Sequence, residues 1–311
     1  MHSTTALTHG FLRRRINMSN LSKKNFVRQD ELVPNYKELA RETRKDVLEM
    51  LYQKKAPHIG SCFSMVELMV ALYFKELLVD PKNPNNPNRD RFVLSKGHGC
   101  PVLYSVLARR GFFDKELLSE FNINGGVISG HPNLDVAKGI EITSGSLGHG
   151  LSIGAGMALA AKKDKRKSRV FVFLGDGELD EGSSWEAVLF ANHHKLDNLI
   201  AIIDYNKLQI LGKVCDVLGL EPLVDKWRAF GWGVKEIDGH NFNKIFESFD
   251  NIPFEKNKPS VIIAHTVKGK GVSFMENELC WHDKYPNEEE YKKALEELSQ
   301  STNNESKLIS E

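Results

Sequence analysis

Two short apolar runs, VFVFL at 170–174 and LIAII at 199–203, enclose one helical pattern and constrain this chain more than any other feature. Each run is too short for a buried helix and rich in β-branched or aromatic residues. Each therefore reads as a strand covered on both faces. The helical pattern around 185–195 turns the pair into strand, crossover helix, strand, the unit that joins parallel strands. The first run breaks at Gly175-Asp176-Gly177 and the second runs out at Asp204-Tyr205-Asn206. In open α/β sheets, ligands bind at the carboxyl ends of parallel strands. Asp176 and Asn206, 206 − 176 = 30 residues apart, are thus expected to converge on one cation.

The residue types suit that cation. A carboxylate and an amide oxygen are hard ligands for Mg²⁺ or Ca²⁺, and Mg²⁺ leaves part of its shell to phosphates and water. Gly175 and Gly177 let backbone approach a diphosphate with no Cβ in the way. A Gly-Asp-Gly turn alone is equally compatible with an ordinary strand-to-helix connection. Its pairing with an asparagine at the end of the next strand carries the functional reading.

Elsewhere the same alternation continues. Helical patterns occupy 35–54, 64–78, 101–110, 150–163, 224–230, 241–249 and 288–298, and further strands are expected at 92–94, 234–237 and 261–264. The sum is an α/β fold, a doubly wound, mainly parallel sheet of five to six strands with helices on both faces. With no linker dividing it, one domain is expected over 29–298, between flexible tails at 1–28 and 299–311. The first tail lacks acidic residues and carries Arg13-Arg14-Arg15, so an organelle-targeting segment is the alternative reading there. Gly150, Gly154 and Gly156 are spaced like a dinucleotide fingerprint, but no strand of sufficient length precedes them. Close helix packing is the simpler reading.

A formal charge of +1 on 311 residues argues against nucleic-acid or membrane-surface binding driven by net charge. No apolar run approaches the roughly 18 residues needed to span a bilayer. The four scattered cysteines contain no CxxC pair, which fits reduced thiols in the cytoplasm better than a disulfide framework or zinc site. His58, His98, His131, His149 and His282 all fall in or beside glycine-containing or aromatic loops, as groups that move protons on sugar hydroxyls would. His193 and His194 lie in the crossover helix and read as structural.

Six segments widen the argument: KKAPHIGSCFS, DRFVLSKGHGCPVLY, SGHPN, TSGSLGHGLSIGAGMA, GDGELDEGSSWEA and LIAIIDYNKLQ. In this order they resemble the amino-terminal, diphosphate-binding half of transketolase, a thiamine diphosphate enzyme, over most of the chain. The resemblance implies that Asp176, Asn206 and the backbone oxygen of Leu208 ligate Mg²⁺, with Ca²⁺ or Mn²⁺ as substitutes. It puts Gly177 on the diphosphate and Gly145 and Leu147 near the cofactor rings. It sets His58, His98, His131 and His282 around the sugar, with His98 and His282 also against the cofactor. Glu181 and Glu186 match carboxylates at the family's dimer interface, near the cofactor. The implied reaction moves a two-carbon ketol unit from a ketose (phosphate) to an aldose (phosphate).

The family commonly reads SGHPG where this chain has Ala56-Pro57-His58-Ile59-Gly60, and full-length enzymes carry glutamine at the place of His149. Their second domain, which supplies the carboxylate beside the cofactor's pyrimidine, has no counterpart here. A separate pyrimidine-binding subunit in an α₂β₂ assembly is therefore expected. Two other readings share the Gly-Asp-Gly and asparagine pair: the α subunit of a 2-oxoacid dehydrogenase or decarboxylase, and a non-catalytic thiamine diphosphate-binding subunit. The phrases FVLSKGH and SGHP argue against the former, and retention of Asp176, Asn206 and the histidines against the latter.

Overall fold

The computed structural model describes residues 35–308; the tail expected at 1–28 lies outside them. Its strands are β1 (Arg91–Leu94), β2 (Val170–Gly175), β3 (Leu199–Tyr205), β4 (Gly233–Asp238) and β5 (Ser260–His265). They form one five-stranded sheet in the order β1-β2-β3-β5-β4, and every neighbouring pair is parallel. The α-helices of five residues or more among the described residues are α1 (Tyr36–Lys54), α2 (Ile59–Phe63), α3 (Val66–Ala71), α4 (Cys100–Arg110), α5 (Gly150–Lys163), α6 (Gly182–His193), α7 (Leu223–Ala229), α8 (Phe242–Asp250) and α9 (Glu288–Leu308). The last helix continues beyond Leu298, where the sequence pattern fades.

Side chains alternate across the strands, and both faces of the central strands β2, β3 and β5 are buried, while the edge strand β4 is partly exposed. Phe92, Phe171, Phe173, Ile200 and Ile262 share one core with apolar residues of α1 to α4, α8 and α9. Val93, Val172, Leu174, Ile203 and Ile263 share the other with those of α5, α6 and α7. Each fully buried side chain of this kind is worth about 1.5–3 kcal/mol, which is why these runs are apolar throughout rather than alternating with polar residues.

Local chemistry sets the ends of the elements. Asn35 caps α1 by accepting from the amide of Glu38 at 3.2 Å, and Pro101 sits in the first turn of α4, where its missing N–H costs nothing. The helix expected over 64–78 runs from Val66 to Glu76 and changes pitch on the way. After α3 a wider turn runs Leu72–Glu76, closed by the amide of Leu77 donating to the Leu72 carbonyl at 2.8 Å. It brings the buried Glu76 onto Arg169, so a carboxylate inside the core meets a guanidinium. On α5, an added Cβ at Gly154 would lie 2.4 Å from Val172 Cγ2, whereas at Gly156 it would meet nothing. Close packing explains the first glycine and not the second. No helix among the described residues is long and apolar enough to cross a membrane.

Candidate active site

Register puts the two polar breaks side by side. Gly175 of β2 lies opposite Asp204 of β3, so Asp176 and Asn206 leave adjacent strands at the same sheet edge. The amide of Lys207 donates to Asp176 Oδ2 at 2.6 Å, and the amide of Gly177 donates to Oδ1 at 2.8 Å. Asn206 Oδ1 accepts from the Leu208 amide at 3.1 Å. Burial, and then the nearby Asp204 carboxylate, push the Asp176 carboxyl up to about 6. A divalent cation would offset that repulsion, and the carboxylate, amide and carbonyl oxygens here are hard donors. The residues fit the metal.

Behind this pair lies a buried polar centre that the sequence patterns missed. Lys96 follows β1, Asp204 lies within β3, and the two form an ion pair at 1% and 0% exposure. Lys96 Nζ also donates to the Ser61 carbonyl at 2.9 Å. Ser64 donates to Asp204 Oδ2 at 2.6 Å, and Thr266 donates to Oδ1. Burial pushes the Asp204 carboxyl up, but Lys96 and these donors outweigh it and hold it below the usual range. The centre ties together the ends of β1, β3 and β5 and the C-terminal part of α2.

Four of the five loop histidines converge in front of it. Ring centroids of His58 lie 5.2 Å from His98, 6.5 Å from His131 and 5.4 Å from His282, and His98 lies 5.9 Å from His282. His58 is held in a left-handed backbone conformation (φ 78°), and its amide donates to the His282 carbonyl at 2.8 Å. Burial first, then His131 and the lysines, lower His58 to about 4. Burial and Lys268 lower His282 to about 3, and burial and Lys96 keep His98 well below its ordinary value. These three rings are neutral at pH 7 and can accept a proton or a hydrogen bond. His149 stands apart, exposed at the start of α5 with Nδ1 3.1 Å from the Leu147 carbonyl, and His193 and His194 are exposed at the end of α6.

The glycine loop 143–150 closes one side. An added Cβ at Gly145 (φ 140°) would lie 2.8 Å from His131 Cδ2, and one at Gly97 would lie 2.8 Å from the Gly145 amide nitrogen. Gly145 is thus wedged between the turns carrying His98 and His131, with Leu147 two positions on. Glu181 and Glu186 are exposed at the start of α6.

Lys268 closes the other side. It is fully buried; its ammonium donates to the Leu208 carbonyl at 3.0 Å and lies 2.8 Å from His282 Nδ1. Burial lowers it to about 8. A lysine in a basic loop reads as solvated from sequence, and only the fold shows it inside. The loop is held from behind. Arg44 donates to the Lys270 carbonyl at 2.7 Å and clasps both oxygens of Glu67. His240 Nε2 accepts from the Val267 amide at 2.9 Å, which makes Nδ1 the donor to Glu67 at 2.9 Å. Burial pushes the Glu67 carboxyl up, yet Arg44 and His240 bring it down to about 2.

Residues 36–307 match the family described as the thiamine diphosphate binding domain of transketolase. The chain is similar to an apulose-4-phosphate transketolase subunit of Phocaeicola vulgatus, 46% identical over 83% of this chain and 91% of that one. It is 46% identical to the 6-deoxy-6-sulfo-D-fructose transketolase subunit SqwG of a Clostridium species, over 82% of this chain and 93% of that one. Among solved structures it is similar to transketolase from Campylobacter jejuni, with a TM-score of 0.79 and 32% identity over 85% of this chain, but it spans only 42% of that enzyme. The match in family, fold and extent means that the chain belongs to the transketolase family and corresponds to its thiamine diphosphate-binding half.

Proposed function

We propose that this chain is the diphosphate-binding subunit of a two-subunit transketolase, which moves a two-carbon ketol unit from a ketose or ketose phosphate to an aldose or aldose phosphate. The observation that supports the reading is that Asp176 and Asn206 leave the adjacent ends of β2 and β3, while Lys268 links the Leu208 carbonyl to His282, a member of the cluster with His58 and His98.

Asp176, Asn206 and the Leu208 oxygen would hold Mg²⁺, for which Ca²⁺ or Mn²⁺ could substitute, and the Gly177 backbone would lie against the diphosphate. Lys268 and Lys96 place positive charge on the same edge. Thiamine diphosphate, when bound, supplies the carbanion stabilisation that side chains lack. Gly145 and Leu147 would border its rings. His58, His98 and His282, neutral at pH 7, are able to take a hydroxyl proton from the donor sugar and return it to the product, while His131 orients the sugar's hydroxyls.

The chain spans well under half of a full-length enzyme and nine-tenths of the two relatives named as transketolase subunits. That supports a partner protein carrying the pyrimidine-side carboxylate and the substrate-phosphate contacts, in an α₂β₂ assembly. Glu181 and Glu186, exposed beside the site, would face the interface. Both relatives are named for ketose derivatives, and the same broad class is proposed here. The four free thiols favour the cytoplasm.

Calorimetric titration of Mg²⁺ and thiamine diphosphate into the purified chain tests this reading, with Asp176→Ala as control. Binding that vanishes in the variant supports it, as does ketol transfer only when the pyrimidine-binding partner is added. Ketol transfer by the chain alone at an ordinary rate would overturn the two-subunit arrangement.

A further inference from the structure

We infer that Glu178 is a positioning residue: it fastens the glycine loop 143–150 to the Gly-Asp-Gly turn after β2, so that the two walls of the site keep one spacing. Glu178 is 1% exposed and follows directly on the Gly-Asp-Gly turn. Its Oε1 accepts from the Ser95 hydroxyl and, at 2.9 Å, from the Gly148 amide; Oε2 accepts from the Gly175 amide at 3.3 Å. Ser95 Oγ in turn accepts from the Gly150 amide at 3.1 Å. A serine hydroxyl has one hydrogen to give, and here it goes to Glu178. One carboxylate thus gathers the end of β1, the turn after β2 and the last residues of the glycine loop, three segments that are remote in sequence.

The fit leaves no slack. A Cβ at Gly150 would lie 2.2 Å from Ser95 Oγ, and one at Gly148 would lie 2.6 Å from both Glu181 Cβ and Ser183 Oγ. Ser183 donates to the Gly148 carbonyl at 2.9 Å, and Ser184 donates to the Glu178 carbonyl at 3.2 Å, which fixes the tether to the first turn of α6. All three groups that touch the carboxylate are donors, so only an acceptor-only side chain satisfies them. Glutamine has the same shape but must aim its NH₂ at one of those donors. Aspartate is one methylene too short to reach both walls.

The tether stands on the geometry alone; its effect on cofactor binding rests on the function proposed above. The test compares wild type, Glu178→Gln and Ser95→Ala in the isolated chain, by amide hydrogen exchange and by titration with Mg²⁺ and thiamine diphosphate. Glu178→Gln is expected to speed exchange at Gly148, Gly150 and Gly175 at least tenfold while β3 and β5 keep their protection, and to weaken cofactor binding about tenfold or more. Ser95→Ala is expected to free Gly150 while Gly148 and Gly175 stay protected, so the tether is testable even if Glu178→Gln does not fold. Unchanged exchange at these glycines, or equal loss across the whole sheet, would overturn the inference. Faster exchange with undiminished cofactor affinity would overturn its link to the site. Absence of binding by wild type would count against the proposed function, and exchange would still decide the tether.

Discussion

Lys96 and Asp204 stand 108 positions apart in sequence and meet as an ion pair from which water is excluded on both sides. Asp204→Asn would leave a buried ammonium without its counter-charge. Removing one partner of such a pair costs about 3–5 kcal/mol, and that loss is expected in urea unfolding of the variant. Lys96→Met should cost a similar amount. The double variant should cost less than the sum of the two, because neither charge is then stranded.

Two glycines on one helix should behave oppositely. Gly154→Ala forces a methyl onto Val172 and is expected to destabilise the isolated chain by about 1–3 kcal/mol. Gly156→Ala meets open space and removes a poor helix former, so a gain of up to about 1 kcal/mol is expected. Thermal or urea unfolding of the pair reads both signs.

Chelation by EDTA should lower thiamine diphosphate affinity at least a hundredfold in calorimetry. Mg²⁺, Ca²⁺ and Mn²⁺ should each restore it, because the donor set is all oxygen. Full affinity in EDTA would rule out a metal bridge through Asp176 and Asn206.

The imidazoles make stability depend on pH. His58 and His282 are lowered to about 4 and about 3, while the unfolded rings titrate near 6.5. Above 6.5 neither state binds protons at these sites. Below it the unfolded chain takes up protons that the folded rings refuse, so stability is lost as pH falls from 6.5 toward 4. On the order of 1 kcal/mol per ring is expected between pH 7 and 5, after allowance for each ring's contact with water. Urea midpoints at the two pH values should move less in the His58→Asn, His282→Asn double variant than in wild type.

Lys268 faces His282 Nδ1 at 2.8 Å and is one of the causes of that ring's low value. Lys268→Met should raise the His282 pKa by about one unit or more, read as the midpoint of its imidazole resonance in an NMR titration. An unmoved midpoint would mean that burial, His58 and Lys96 hold it down without help from Lys268.

These sites differ in how far they could be read from residues alone. Val170–Gly175 and Leu199–Tyr205 declared themselves because a strand buried on both faces must be apolar along its whole length. Asp176 and Asn206 followed, since they end those strands. The histidines were visible as a set because they sit in glycine-rich loops. Lys96, Asp204, Glu178 and Lys268 were not, because a charged residue in a sequence carries no mark of burial and its partner comes from a distant segment. The wider turn at Leu72–Glu76 was hidden for the same reason: the Glu76 it presents pairs with Arg169, 93 positions away.

The crowding of His58, His98, His131 and His282 also sets a capacity. Charging His131 makes His58 harder to charge, and charging His58 does the same to His98 and His282. Burial is the largest cause of the low values of His58, His98 and His282, and the neighbouring rings add to it, so the neighbours help to keep these three imidazoles neutral. Their crowding thus makes the site a place that hands protons on rather than one that stores them.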